Sequence, residues 1–516
     1  MDIQLRRKAK ASNRNHRIEI RGVASLPAER ISEKDKTDIL TAEPSRSESA
    51  PGNAVKFPVY EEIGDRIFIP KYLFFDRFYN KKKDVIDFFN ENEEPFAYKF
   101  KGELYPSQMD GAEKILKVLG KKRGVTGKGR CGTGKTVIGT YLMSRIPGKH
   151  MVLVDQTQIA EQWLVECLTH LENPKISFIM PLVKQRQICK KYSLDPAGRT
   201  KIDTTGHIII ASAQTLMRVS KDTEIPISLI IVDEAHAFAA PSFSKSIFRV
   251  SFKYSVALTA TDKRSDGLEW IFKDILGPSI ITLKGRRMNP LVVSISVALK
   301  SSIDVGQHKM FWCSKYHKMR TYWACRACDN IAYCQIVQES INAKIKKVAY
   351  HEIWARLAGD PFYNKTVVNV IRKLHRAGRN ILVLSKFKDH LRLLRELTIA
   401  QGVPETDTSL YFGGMDKDKC LPFPITFATF GIAYKALNAP DKDAEVLSMP
   451  VSEVEQPAGR IERQVVGKNR PIIVDFVINN APMLLGSYKK RRKFYNSAGY
   501  LHGNDLTWAL NVSGSV

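Results

Sequence analysis

The sequence predicts an α/β protein built from two tandem parallel-sheet domains, and three observations carry that expectation. From Leu104 onward, short apolar, β-branched segments bounded by polar turns recur: HMVLVD, HIIIASA, SLIIVDEA and SVALTAT. Helical stretches separate them, and strands apolar along their whole length are the mark of parallel sheets covered on both faces. The pattern pauses around residues 300–345 and resumes with NILVLS, ITFATF, AEVLSMP and PIIVDFV, so two α/β domains are expected with an insertion between them.

The other segments follow from composition. A chain of 516 residues has length for three or four domains. Residues 1–55 begin MDIQLRRKAKASNRNHR and end AEPSRSESAPGNA, which reads as a disordered basic arm. Over 56–100, VYEEIGDRIFIPKYLFF alternates like strands and DVIDFFNENEEPF reads as a short helix and turn. A small N-terminal accessory domain is expected there. The expected divisions after it are 101–290, the insertion at 300–345, and 346–516. No apolar run reaches the roughly 18 residues that cross a bilayer, and the start lacks the apolar segment of a secretory signal. A soluble, intracellular chain without a membrane partner is expected.

Eighty Lys plus Arg against 53 Asp plus Glu gives a net charge of +27. Such an excess attracts polyanions, and nucleic acid is the commonest. Basic clusters lie at Arg6–Lys10, Lys121–Arg123, Lys284–Arg287 and Lys489–Lys493. Each alone reads more readily as a solvated face; together they favour a phosphate backbone, with a membrane surface second.

GRCGTGKT, from Gly129 to Thr136, has the form of a phosphate-binding loop. Gly129, Gly132 and Gly134 allow backbone N–H groups to turn toward phosphate, Lys135 would neutralise the β- and γ-phosphates, and the Thr136 hydroxyl would sit on Mg²⁺. A helical stretch follows it, but KKRGVTGKGR before it is too short and basic to read as a clear strand. About a hundred residues on, LIIVDEAHAF ends an apolar strand in adjacent carboxylates. Asp233 is placed to hold Mg²⁺ and Glu234 to polarise an attacking water.

With these motifs on the page, the chain resembles superfamily 2 helicases of the DEAH/DEAD type over roughly residues 100–500. LYPSQ resembles the upstream glutamine motif, with Gln108 reading adenine. LVDQTQIAEQW (Gln156, Thr157, Gln162) and IIIASAQTL (Ser212, Gln214, Thr215) resemble the strand-grasping motifs. LTATDKRSDG matches the Ser/Thr-Ala-Thr motif through Thr259, Ala260 and Thr261, and EQPAGRIERQ matches the sixth motif through Gln456, Gly459, Arg460 and Arg463. NILVLSKFKDH resembles the opening of the second motor domain.

The resemblance implies two RecA-like domains and ATP with Mg²⁺. It implies that Lys135, Asp233, Glu234, Arg460 and Arg463 are catalytic, and that His236, Thr259, Thr261 and Gln456 couple hydrolysis to movement. A fixed fork of arginine donors reaching the γ-phosphate typically supplies about 10³–10⁵ in rate. Within the superfamily the chain looks most like the helicases of large DNA viruses and bacteriophages, such as the poxviral transcript-release and phage branch-migration helicases. Two positions depart from the family pattern: Asp262 stands where Pro follows Thr-Ala-Thr, and Asn438 stands in the fifth motif where Asp is usual.

The insertion contains FWCSKYHKMRTYWACRACDNIAYC. Cys313, Cys325, Cys328 and Cys334 have the spacing of a four-thiolate zinc site, with His317 as an alternative ligand. The sequence is also compatible with four unlinked thiols. The interleaved aromatic and basic residues suit either packing around a metal or stacking on unpaired bases.

The expected function is an ATP-dependent nucleic-acid helicase or translocase, DNA favoured over RNA, acting in viral transcription, replication or recombination. Transcription or replication proteins are its expected partners, and a viral protein would work in the host cytoplasm, nucleus or virion. Two alternatives stay open: a double-strand translocase that does not unwind, and a nucleic-acid-binding factor with an idle ATPase docked through a zinc ribbon.

Overall fold

The computed structural model describes residues 17–45, 55–81, 84, 86–88, 96–130, 132–194, 200–220, 225–264, 266–285, 288–298, 310–313, 318–321, 350–435, 439–465, 467–479 and 481–512. Internal contacts divide the chain into two compact units, Met1–Arg286 and Arg287–Val516. Among the described residues no helix is long and apolar enough to cross a membrane.

The first unit opens with β1 (Ile18–Ile20), β2 (Ala24–Pro27), β3 (Thr41–Ala42), β4 (Phe57–Pro58), β5 (Glu61–Ile63), β6 (Arg66–Ile69) and β7 (Ile86–Phe88). Five of these form a sheet in the order β5-β6-β2-β1-β7, and β3 pairs with β4 separately. The expectation of a disordered arm over 1–55 is therefore corrected for residues 18–42. Their apolar side chains are few, but Ile18, Ile20, Ala24 and Leu26 are buried together with Ile67, Ile69 and Phe74. The helix expected around Asp84–Phe88 is corrected as well, since Ile86–Phe88 pairs in parallel with β1. The sheet belongs to the first unit: Val23, Phe57 and Val59 share a core with Met151, Leu153 and Phe252. Glu61 on β5 forms a buried two-point pair with Arg249, one bond being 3.0 Å.

The first parallel sheet contains β8 (Gly124–Lys128), β9 (His150–Val154), β10 (Ile176–Ile179), β11 (Ile208–Ser212), β12 (Ile225–Val232), β13 (Val250–Thr259) and β14 (Ile280–Thr282). Its order is β10-β11-β9-β12-β13-β8-β14, with every pairing parallel. β8 supplies the strand that the sequence before the phosphate loop did not make plain. Its glycines have steric reasons: a Cβ on Gly124 would lie 2.2 Å from the Leu276 carbonyl oxygen, and one on Gly127 3.1 Å from Leu258.

The second unit repeats the architecture. β15 (Leu291–Val297), β18 (Ile381–Ser385), β19 (Thr408–Tyr411), β20 (Ile425–Thr429), β21 (Ala444–Leu447), β22 (Ile472–Ile478) and β23 (Leu501–Gly503) form a parallel sheet in the order β19-β20-β18-β21-β22-β15-β23. Because β15 pairs with β22 and β23, the pause in the pattern falls inside the second unit, after its first strand. The insertion expected between the domains is corrected accordingly. Within it, β16 (Met310–Cys313) and β17 (Lys318–Thr321) form an antiparallel hairpin with Cys313 opposite Lys318. His317, Cys325, Cys328 and Cys334 lie outside the described residues.

Two buried charge systems in the second unit behave differently. Arg491 and Asp475 are each 1% exposed and joined by two bonds of 2.8 Å, with Tyr495 also donating to the carboxylate at 3.2 Å. This charge pair is fully hydrogen-bonded. Glu445, on β21, is fully buried and neither of its carboxyl oxygens has a hydrogen-bond partner. Burial and the nearby Glu462 push it up to about 8, against the pull of Arg460.

Removing one partner of a buried pair strands the other charge. Arg491→Leu is thus expected to cost about 3–5 kcal/mol in urea unfolding, and a loss well under 1 kcal/mol would contradict this reading. Glu445 keeps its proton in the folded state while the unfolded chain ionises near 4.5. The unfolded state therefore binds fewer protons between about 4.5 and 8, and stability falls as pH rises through that window and levels off above it. Relative to Glu445→Gln, the wild type should lose about 1 kcal/mol per pH unit there. Parallel stability–pH curves for the two proteins would rule this out.

Candidate active site

The loop after β8 is shaped by its neighbours. Gly129 N–H donates to the Thr259 carbonyl at 2.9 Å, and Leu283 N–H donates to the Lys128 carbonyl at 2.7 Å. Gly132 and Gly134 have φ of +81° and +77°, where an L side chain is strained. A Cβ on Gly134 would stand 2.1 Å from Gln108 Nε2, so no side chain fits there without moving Gln108. Gln108 lies in the first turn of the helix Pro106–Lys122, and its Oε1 accepts the Tyr105 N–H at 3.1 Å. Gly285 covers the loop from the other side, since a Cβ there would meet Thr133 Cα at 2.4 Å. Cys131 lies outside the described residues.

Lys135 and Thr136 open the helix Lys135–Arg145 and are both buried. The Lys135 ammonium is folded back on the loop, donating to the Gly129 carbonyl at 2.8 Å and reaching the Arg130 carbonyl at 3.5 Å. A helix start with inward-turned N–H groups and a lysine over the loop is a site for phosphate.

Asp233 and Glu234 follow directly from β12. Asp233 is buried; its Oδ2 accepts the Trp163 indole N–H at 2.8 Å and its Oδ1 accepts the Glu234 N–H at 2.9 Å. Burial and the Glu234 carboxylate raise it to about 6, against the pull of Lys135. Glu234 sits in the left-handed region at φ +46°, a strained conformation for a non-glycine residue. Its Oε2 is buried without a hydrogen bond and lies 3.5 Å from His236 Nδ1. Two crowded carboxylates, one with an orphaned oxygen, beside a lysine and a threonine form a donor set that suits Mg²⁺ carrying phosphates.

Thr259, at the end of β13, joins the pieces. Its hydroxyl donates to the Thr261 carbonyl at 2.7 Å, accepts the Thr261 N–H at 3.2 Å, and lies 3.2 Å from His236 Nδ1. Burial lowers the His236 pKa. Arg264 donates to the His236 carbonyl and is held by Asp266 at 2.6 and 2.8 Å. Asp262, the departure after Thr-Ala-Thr, pairs with Lys128 at 2.6 Å.

Of the strand-grasping candidates, Ser212 donates to Thr215 Oγ1 at 2.9 Å, and Gln214 is exposed beside them. Gln156 precedes the helix Thr157–His170, which also carries Gln162 and Trp163.

In the second unit, Gln456 and Arg460 lie on the helix Glu455–Ile461. Arg460 is buried and its Nε donates to the Ala433 carbonyl at 2.9 Å. Arg463 is half-buried just beyond the helix. Its carbonyl accepts Lys468 Nζ at 3.1 Å, and the same ammonium reaches the Ile461 and Pro440 carbonyls at 2.8 and 2.7 Å. Asn438 lies outside the described residues.

Thus Gln108, Gly129, Gly132, Gly134, Lys135, Thr136, Asp233, Glu234, His236, Thr259 and Thr261 come together in the first unit, while Gln456, Arg460 and Arg463 lie in the second. Three contributors escaped the sequence reading: Trp163, Lys128 and Lys468. Trp163 carried a signal, because a tryptophan at a core position of a helix needs a partner for its indole N–H. Among the described residues no group of three or more His, Cys, Asp or Glu is arranged to hold a metal ion by itself.

Comparison with known proteins agrees with this geometry. Residues 101–264 match the family described as type III restriction enzyme, res subunit. A putative ATP-dependent RNA helicase of Acanthamoeba polyphaga mimivirus is 24% identical over 449 residues, covering 86% of this chain and 77% of that protein. A probable helicase of Escherichia phage T5 is 22% identical over 365 residues, covering 68% and 67% of the two chains. A putative helicase of Invertebrate iridescent virus 6 is 26% identical over 215 residues, covering 42% and 46%. With two parallel-sheet units and a phosphate loop, the chain is similar to ATP-dependent superfamily 2 helicases, those of large DNA viruses and phages among them.

Proposed function

We propose that the protein couples ATP hydrolysis in its first unit to movement along, or remodelling of, a DNA strand. The observation that carries this reading is the junction at Thr259, where the phosphate loop, the Asp233–Glu234 turn and the Thr-Ala-Thr segment meet through one residue. A change at the γ-phosphate then reaches the backbone after β13 without passing through solvent.

The residue roles proposed rest on the family resemblance, supported by position and charge within the first unit. Lys135 leaves the Gly129 carbonyl and engages the β- and γ-phosphates. Thr136 and ionised Asp233 hold Mg²⁺, with the Trp163 N–H fixing the Asp233 rotamer. Held there, Mg²⁺ would supply positive charge against the charge that develops on the phosphate. Glu234, its Oε2 oxygen unspent, orients the attacking water and takes its proton. Gln108 reads adenine from behind Gly134. The resemblance assigns Arg463, Arg460 and Gln456 to the response to the γ-phosphate; within the second unit Arg460 is braced by the Ala433 carbonyl, and the Arg463 carbonyl by Lys468. His236, Thr259 and Thr261 relay the change.

DNA as the track rests on the resemblance to large-DNA-virus and phage helicases and on the net charge of +27. Work in viral transcription, replication or recombination, with proteins of those processes as partners, follows from the same resemblance. In the insertion, Cys313, Cys325, Cys328 and Cys334 are proposed to bind a structural zinc, with His317 as alternative ligand. The N-terminal sheet is proposed as an accessory module of the first unit.

ATP turnover should rise on adding one of single-stranded DNA, duplex DNA, forked DNA or RNA, and the polymer that stimulates most is the track. Glu234→Gln should lower stimulated turnover by about 10²–10⁴-fold while still binding nucleotide. Turnover in the wild type no higher than in that variant would sink the motor reading, and preference for RNA would overturn the choice of DNA. For the insertion, metal analysis should find one zinc per chain in the wild type and none in Cys325→Ser/Cys328→Ser. Equal metal content in both would remove the zinc proposal.

A further inference from the structure

Lys71 is the most unusual charged residue outside the nucleotide site. It is 3% exposed, begins the short helix Lys71–Arg77, and makes one hydrogen bond, 3.2 Å to the Ser255 hydroxyl. Its ammonium also lies 5.1 Å from the Phe252 ring centre and 5.0 Å from that of Tyr72. Burial and the nearby Arg123 lower its pKa to about 7. A buried ammonium with no carboxylate, at the positive end of a helix, is a costly arrangement that a structural role alone does not require.

The space beside Lys71 is a pocket lined also by Lys122, Arg123, Lys253, Phe88 and Phe252. Among the described residues none of its four cations has a carboxylate within ion-pair distance. Arg123 stands in the left-handed region at φ +60°, its guanidinium 4.4 Å from the centre of the Phe88 ring. Phe88 is 37% exposed. The walls are tightly set: a Cβ on Gly124 would press on the Tyr72 hydroxyl at 2.3 Å, and one on Gly22 on the Phe252 ring at 2.4 Å. The interior measures about 30 Å³, room for one or two oxygen atoms and not for a whole ligand.

Position separates this pocket from the nucleotide site. Gly124 begins β8 and Lys128 ends it, so the pocket lies at the amino edge of the sheet, roughly 13 Å along one strand from the phosphate loop. The exposed Lys121 and Lys122 continue the positive surface outward. This absorbs the Lys121–Arg123 cluster, which the nucleotide chemistry leaves unused.

We propose that this pocket is a second nucleic-acid contact, in which one backbone phosphate enters end-on between Lys71 and Arg123 while the strand continues over Phe88 and the lysines at the mouth. Four cations with no acid paired to them among the described residues select a phosphate, a one-group depth selects a phosphate presented end-on, and an exposed aromatic at the rim suits a sugar or base. The proposal rests on the nucleic-acid reading above and deepens it, placing a contact on the face opposite the ATP loop.

Two variants test it without threatening the fold. Lys71→Met replaces a buried charge by an apolar chain of similar length, and Arg123→Gly relieves the positive φ. Both should melt at or above the wild-type temperature. Binding of labelled single-stranded DNA, duplex DNA and RNA to the full chain, without nucleotide, is then measured across a salt series. Each variant should weaken binding uniformly across sequences and make the log–log salt slope shallower by about 1. Wild-type affinity and slope in both variants would overturn the proposal. So would a pocket that takes inorganic phosphate, seen as a Lys71-dependent rise in melting temperature, while polymer binding is unchanged by the variants. If the wild type itself binds none of the polymers, the nucleic-acid reading fails first, and that result is distinct from failure of the pocket alone.

Discussion

The parallel register of three neighbouring strands, β8, β13 and β12, is the constraint on which the nucleotide site depends. Thr259 pairs with Lys128, and Val232 pairs with Ala257, so these strands end on the same edge within two residues of one another. Parallel strands deliver all their following loops to one edge of the sheet. The phosphate loop, the Asp233–Glu234 turn and the Thr-Ala-Thr segment therefore converge without any long-range device. Thr259 then makes the convergence rigid, its carbonyl held by the phosphate loop and its hydroxyl by its own turn. A slip of one residue in β13 would exchange its two faces and break all of these bonds together.

The site built on that edge is electrostatically incomplete by itself. Asp233 and Glu234 crowd each other, and burial raises Asp233 toward neutrality. Lys135, whose charge acts on Asp233, spends its donors on loop carbonyls. Each of these groups is better satisfied by a ligand that is both anionic and metal-bearing than by the protein. The same logic applies to Lys71 at the opposite edge, whose surroundings among the described residues offer a hydroxyl and two rings but no anion. Both edges of one sheet thus carry buried charge awaiting phosphate, although only one has the carboxylates needed for hydrolysis.

The parallel strands were legible because burial on both faces forces apolar, β-branched runs, as in Ile208–Ser212 and Ile472–Ile478. β8 was not, because close approach to Leu276 and Leu258 puts glycine where a strand would show bulk. The N-terminal strands were obscured for another reason: three- and four-residue strands bury a few side chains each, too few to stand out from a polar arm. In the second unit, β15 belongs to a sheet whose other strands come after the insertion, and only pairing with β22 and β23 reveals this. Motif residues could be named from spacing. Trp163 and Lys128 act by touching motifs distant in sequence, so spacing does not name their partners, and Lys468 acts through backbone carbonyls that no side-chain pattern marks.

Asp262 shows how a departure from a family pattern is absorbed. Proline would restrict the backbone after Thr-Ala-Thr by fixing φ, at no electrostatic cost. Asp262 instead ties that turn to Lys128 at 2.6 Å, anchoring it to the strand that leads into the phosphate loop. The pair is partly exposed, with side chains 39% and 18% accessible, so its worth is limited to about 0–1 kcal/mol. That is weaker than a covalent restriction, but it joins two segments that proline would leave unlinked. The turn is stiffened by other means: Thr261 and Thr259 bond within it, and Arg264 clamps the His236 carbonyl from Asp266. Rigidity here comes from a network of polar contacts rooted in the phosphate-loop strand. The segment that would transmit hydrolysis is therefore attached to the segment that would sense it.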